Sequence, residues 1–173
     1  MADARPRRTV VVDANIVINL VHAGRLALLG TIPAYDFVVP EDVVAEIVDP
    51  AQREQLDRSI AEGRLCVETI TDPDDLLQYA QFRRSLGKGE AACLVLAKRN
   101  GWLIASDEKG RFQREAITTL GTGRTVNTAG LFLVAIRAGV MSIEDADQAK
   151  SVLERHRFRL PFGSFRDLMS GSS

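Results

Sequence analysis

The sequence predicts an α/β fold in which one central, mainly parallel sheet is covered by helices on both faces. Two observations carry that expectation. Short apolar runs alternate with longer segments of helical periodicity along the chain, the pattern of strand–helix–strand units whose crossovers build a parallel sheet. The first run, Val10-Val11-Val12, is apolar without alternation, as a strand buried on both faces must be.

The first strand ends at Asp13, which opens a helix. A second strand is expected at Phe37-Val38-Val39, and Pro40 followed by EDVVAEIV starts a helix with Pro at its first turn and acids near its positive end. Further strands are expected at Leu65–Glu68, Trp102–Ala105 and Thr125–Val126. Between them, Asp72 to Ser85 has acids at its start and bases at its end, matching a helix dipole. Gly87 and Gly89 break the chain, and Glu90 to Arg99 then reads as a helix of small and apolar residues fit for the interior. A buried helix follows Asn127 and stops at Gly139, and Ser142 with Asp145 opens a last helix to about His156.

With 173 residues, 46% of them hydrophobic, the chain can bury one real core. We divide it into a domain over 1–156 and a C-terminal tail over 157–173. A net charge of −1 gives no field for coating nucleic acid, so any such contact must be local. No apolar run approaches the roughly 20 residues that span a bilayer, and MADARPRR leads into the first strand without a signal-peptide core. A cytoplasmic protein without membrane contact is expected. Cys66 and Cys93 lack metal spacing and read as buried or half-buried small hydrophobes in a reducing compartment. His22 and His156 read as isolated.

Ligands of an open parallel sheet bind in the crevice outside the carboxyl ends of the strands. Asp13 and Asp107 both fall there, at the ends of VVVD and WLIASD. Glu46 lies on the helix after the second strand with its direction undecided, and Glu90 sits at a helix mouth after Gly-Lys-Gly. Each acid has a local reading: Asp13 and Asp107 as helix caps, Glu46 as a solvated helix residue, Glu90 as a first-turn acid. Their joint placement after successive strands says more. Four converging carboxylates with no arginine pair would repel one another unless a cation neutralised them, and oxygen-only ligation suits Mg2+ or Mn2+.

The order VVVDANIVI, VVAEI, LGKGEAACLVLA, LIASDE resembles the PIN-domain nucleases, and the GEA form is similar to a prokaryotic subgroup related to VapC-type toxins. The resemblance covers roughly residues 9 to 140. It implies a three-layer α/β/α sandwich and a metal-dependent endoribonuclease hydrolysing RNA phosphodiester bonds, the toxin of a toxin–antitoxin pair. It matches Asp13, Glu90 and Asp107 to metal ligands, held directly or through water, and Glu46 to a ligand or water orienter. Asn15 and Thr128 match polar residues that hydrogen-bond behind the ligands. Many relatives carry Asp where this chain has Glu90, and a further acid found in some of them has only Glu108 and Lys109 as local candidates.

Lys88, Arg83, Arg84, Arg111 and Arg114 flank the acids in sequence and are candidates for phosphate contacts, although at least three of them read as solvated helix faces. Three rivals stand beside the nuclease. A haloacid-dehalogenase-like phosphatase also begins with a strand ending in Asp, but Asn15 replaces its second aspartate. GTGRT at 121–125 lacks the GxxxxGK[ST] pattern and reads as a turn. A PIN-like module could also bind RNA or protein without catalysis. Finally, Phe158, Leu160, Phe162, Phe165 and Leu168 form an apolar set too large to leave bare. It should dock on its own domain, on a second copy in a homo-oligomer, or on an antitoxin peptide.

Overall fold

The structure is a computed structural model and describes residues 6–171. β1 (Arg8–Val12) is followed by α1 (Ala14–His22) and the short α2 (Leu28–Thr31). β2 (Tyr35–Pro40) leads into α3 (Glu41–Glu46) and α4 (Pro50–Ala61), and β3 (Cys66–Glu68) into α5 (Pro73–Phe82) and α6 (Lys88–Asn100). β4 (Leu103–Ala105) precedes α7 (Arg111–Leu120), and β5 (Thr125–Val126) precedes α8 (Thr128–Arg137), α9 (Ile143–Arg155) and α10 (Phe165–Ser170).

The strands form one parallel sheet in the order β3-β2-β1-β4-β5. β1 is central, which is why Val10, Val11 and Val12 are wholly buried. From β1 the chain steps outward to β2 and β3, then crosses back to β4 and β5. Because such crossovers are right-handed, the reversal puts α1 and α4 on one face and α6 and α7 on the other. The helix contacts agree: α1 packs with α4, α8 and α9, while α6 packs with α5 and α7 and against β1, β2 and β4. The result is the expected α/β/α sandwich with an all-parallel centre. Among the described residues, no helix is long and apolar enough to cross a membrane.

Several local expectations shift. The EDVVAEIV helix stops at Glu46, because Asp49 precedes Pro50, and a residue before proline is disfavoured in helical geometry. Asp49 instead caps α4, accepting from Gln52 N at 2.9 Å. This leaves Ile47 buried and Val48 84% exposed. Helix α6 starts at Lys88 rather than Glu90, with Gly87 as its cap. Cys93 is buried, but Cys66 is exposed because β3 is an edge strand. Gly121 ends α7 at φ +89, so GTGRT is a turn. The two histidines are not isolated: the His22 and His156 rings stack with centroids 3.9 Å apart.

The apolar set of the tail docks on its own chain. Phe165 is wholly buried, with ring centroids 5.8 Å from Phe132 and 4.9 Å from Phe162. Asp147 of α9 anchors the entry to α10, accepting from Ser164 Oγ at 2.6 Å and Phe165 N at 2.8 Å. Replacing Phe165 by Ala should cost about 3–5 kcal/mol. In a domain of this size, at roughly 2–4 °C per kcal/mol, that lowers the melting temperature by about 10 °C. A thermal melt of Phe165→Ala checks this, and a shift of a degree or less would mean that the tail is not part of the core.

Candidate active site

The strand order makes the gap between β1 and β4 a switch point, where successive crossovers diverge and leave a crevice at the carboxyl ends. Asp13 and Asp107 both stand there. The β1–β4 ladder continues one step past the strand, with Asp13 N donating to Ala105 O at 3.0 Å. Asp13 caps α1, accepting from Ala14 N at 2.8 Å. Its Oδ2 also accepts from Asn15 Nδ2 at 2.8 Å and from Ser106 Oγ at 2.9 Å. Asn15 joins the two strand ends, since its Oδ1 accepts from Asp107 N at 3.0 Å.

Asp107 does not cap the helix that follows it. Its carboxylate faces the start of α8, where Thr128 N donates at 2.9 Å and Thr128 Oγ1 donates to the other oxygen. That second oxygen also accepts from Asn19 Nδ2 at 2.9 Å. Thr128 is wholly buried and Asn19 nearly so. Both amides and the hydroxyl are thus committed to one carboxylate at a helix N-terminus, where negative charge is favoured.

Glu46 and Glu90 meet the Gly-Lys-Gly segment from two sides. Glu46 Oε1 accepts from Gly89 N at 2.7 Å, which settles the direction of a side chain that the α3 pattern left open. A Cβ on Gly89 would stand 2.8 Å from Glu46 Oε2 and 3.0 Å from Val43 Cγ2, so only glycine admits this approach. Glu90 folds back to accept from Gly87 N at 2.8 Å, closing a capping box at the mouth of α6.

Asp13 is 3% exposed. Burial raises its carboxyl from the usual range to about 6; the hydrogen bonds from Ser106 and Ala14 oppose this rise, and the charges of Glu90 and Glu46 add to it. The thiol of Cys93 on α6 is pushed up by burial and then by Asp13, Glu46, Glu90 and Asp42. These four acids therefore share one electrostatic neighbourhood beneath the start of α6. Among the described residues, none of Asp13, Glu46, Glu90 and Asp107 forms a salt bridge.

A family model described as "DUF3368: PIN domain" matches residues 9–170. The chain belongs to this PIN-domain family. No curated protein matches it. The match extends to residue 170, beyond the resemblance read from the sequence, which covers roughly residues 9 to 140.

In this PIN domain the donor set fits a divalent cation by its chemistry. It is all oxygen, it carries excess negative charge, and it contains a buried carboxyl whose ionisation is opposed. The side chains are not gathered to hold one: among the described residues, no three His, Cys, Asp or Glu groups form a set that could hold a metal ion. The reason is visible in the hydrogen bonds, because Glu46 and Glu90 are both turned to backbone amides of the Gly87–Gly89 segment. The phosphatase alternative loses its acid here, as Asn15 occupies the required position with both ends of its amide engaged. Three residues escaped the sequence reading. Ser106 and Asn19 hold Asp13 and Asp107, and Asp42 stands one turn before Glu46 and accepts from Tyr79 Oη at 3.1 Å. The turn spacing of Asp42 and Glu46 was the one available signal.

The raised Asp13 carboxyl has a pH signature. A group that holds its proton more tightly folded than unfolded contributes stability below about pH 4 that is lost as pH rises through about 6. The full loss, reached near neutral pH, is about 3 kcal/mol. Asp13→Asn should flatten this part of the profile and equal or exceed the parent in stability at pH 7. Urea unfolding of parent and variant in chelator, from pH 5 to 7.5, checks this; parallel profiles would show that Asp13 titrates normally.

Proposed function

We propose that this PIN domain is a Mg2+- or Mn2+-dependent endoribonuclease that hydrolyses RNA phosphodiester bonds. The observation that carries the reading is the buried Asp13, flanked by the charges of Glu46 and Glu90 without a cationic partner and tied through Asn15 to Asp107 across the switch point. Such a site is costly unless a cation is part of it.

Asp13, Glu90 and Asp107 are the proposed ligands, with Glu46 as a ligand or water orienter. A divalent ion bound there would make water nucleophilic near neutral pH and neutralise the leaving oxygen. The protein's own contribution is position. Asn15 and Ser106 fix the Asp13 carboxylate, and Asn19 and Thr128 fix that of Asp107. Glu46 and Glu90 are attached more loosely, each to one amide, and can turn toward the cleft at the cost of a single hydrogen bond. RNA contact is supported by cationic side chains around the mouth. Arg83 donates to Leu86 O at 2.6 Å and Arg111 to Ser85 O at 3.1 Å, holding two guanidinium groups against the loop before Gly87. Lys88, Arg84 and Arg114 are exposed and, among the described residues, unpaired, so they can meet phosphates.

A toxin role with an antitoxin partner, a homo-oligomeric state and a cytoplasmic location belong to the same proposal. A protein partner finds support in Leu76 and Leu77 of α5, exposed at 47% and 65%.

The test combines activity with stability. Asp13→Asn should abolish manganese-dependent cleavage of RNA while leaving the circular dichroism spectrum unchanged. Manganese at about 100 times its dissociation constant should stabilise the parent by roughly 2.7 kcal/mol, a rise of several degrees in melting temperature. Asp13→Asn and Asp107→Asn should respond less. A parent that melts identically with manganese and with chelator would leave the acids as caps and surface charges, and a metal response without cleavage would favour a non-catalytic binding module.

A further inference from the structure

Beside the carboxylates lies a cleft of about 380 Å³ that runs from Asp107 away from the other proposed metal ligands. One wall is the back of the site itself, formed by Asn15, Asn19, Asp107 and Glu108. The rest of the lining comes from the ends of α1 and α9, where His22, His156, Arg157 and Phe158 meet. The lining is mixed in chemistry: amide and carboxylate groups near Asp107, and flat rings with a guanidinium at the ends of α1 and α9.

The ring wall is built by non-local packing. The imidazoles of His22 and His156 stack at 3.9 Å with their planes 11° apart, and Gln52 Nε2 lies 3.3 Å from His22 Nε2. Burial, and then the neighbouring His156, lowers the pKa of His22, which favours the uncharged ring at neutral pH. His156 is exposed and Phe158 is half-buried.

Arg157 stands in an unusual backbone. It is the one non-glycine residue among those described with positive φ, at +64. Helix α9 ends in a Schellman arrangement, with Phe158 N donating to Leu153 O at 3.0 Å and Arg157 N to Glu154 O at 3.1 Å. Glycine is the usual occupant of that left-handed position because a Cβ is disfavoured there. Here the position carries a long cation at the mouth of the cleft. Residues held in sparsely populated backbone regions cluster at ligand and active sites.

We infer that this cleft is a nucleotide subsite of the proposed nuclease: a base of single-stranded RNA stacks on the His22–His156 platform while Arg157 meets the adjoining phosphate. The subsite rests on the nuclease reading for its substrate class, and it puts the neighbouring phosphodiester beside Asp107. Stacking makes the subsite tolerant of sequence, because every base has a flat face. Glu108 lies on the side of the cleft nearest Asp107.

The experiment measures binding of a fluorescein-labelled single-stranded oligoribonucleotide by anisotropy, in chelator so that no cleavage occurs. A second oligomer of the same length, abasic throughout, is the comparison. His156→Ala should weaken binding of the base-bearing oligomer about tenfold and leave the abasic one within about twofold. Arg157→Gly should weaken both oligomers severalfold while leaving the melting temperature unchanged or higher, because glycine relieves the left-handed strain. Unchanged affinity in both variants would overturn the subsite, as would an Arg157→Gly protein that loses affinity only together with stability. Cleavage of the same oligomer by the parent with manganese is scored separately. Binding that depends on the two residues without cleavage would defeat the nuclease reading alone, and cleavage with unchanged affinities would defeat the subsite alone.

Discussion

The parallel pairing of β1 with β4 is the constraint on which the rest depends. Residues 13 and 107 are far apart in the chain, and neither lies in a segment that would bring it to the other locally. The ladder Val10–Leu103, Val11–Ile104, Val12–Ala105 does so, extended by the bond from Asp13 N to Ala105 O. A slip of one residue would turn the valines' faces over and separate the two strand ends. The slip is opposed because the fully buried run is only Val10-Val11-Val12, and moving it by one would carry charged Asp13 or polar Thr9 into a position now filled by a buried valine. The register that packs the core is therefore the register that assembles the site.

Burial and function pull against each other at Asp13. Three donors satisfy its oxygens, so it is not an orphaned polar group. Its charge is another matter, since the hydrogen bonds from Ser106 and Ala14 do not offset the desolvation and the two nearby glutamates. A sequence selected only for stability would place an asparagine or a serine here, each of which caps a helix about as well. An acid at a site that resists its ionisation is what the proposed function accounts for, since a bound cation would favour the charged form.

The legible parts of this molecule are the local ones. β-branched runs, the prolines and the cap residues placed the strands and most helices, because each of those signals acts within a few residues of where it is written. Asp13 and Asp107 could be found because strand ends in a parallel sheet share an edge. Glu46 could not be aimed, since its direction depends on where α3 stops and on Gly89 of α6 admitting its carboxylate. Thr128 was matched by position in the PIN resemblance, whereas Asn19, which holds the same carboxylate, carries no motif. The His22–His156 stack was illegible for the same reason: it exists only because α1 and α9 pack together. The tail was legible as an apolar surface in need of cover but not as to what would cover it, because the answer lies in the shape left by α8 and α9.

The two aspartates at the switch point are held differently, and the difference bears on how the site is organised. Asp107 faces a helix N-terminus, with a backbone amide, a hydroxyl and a side-chain amide all donating to it. Those donors are fixed in place by the fold. Asp13 also starts a helix, but burial, and then the neighbouring charges of Glu90 and Glu46, act against its ionised form. Asp107 thus has three donors supplied by the chain itself, whereas burial sets Asp13 against its own charge. Under the proposed function, Asp107 forms the standing half of the site and Asp13, Glu46 and Glu90 the half that responds. The same division explains why the responding glutamates rest on single amides of a glycine-flanked helix start: a loosely held carboxylate can exchange one hydrogen bond for another ligand without disturbing the core beneath it.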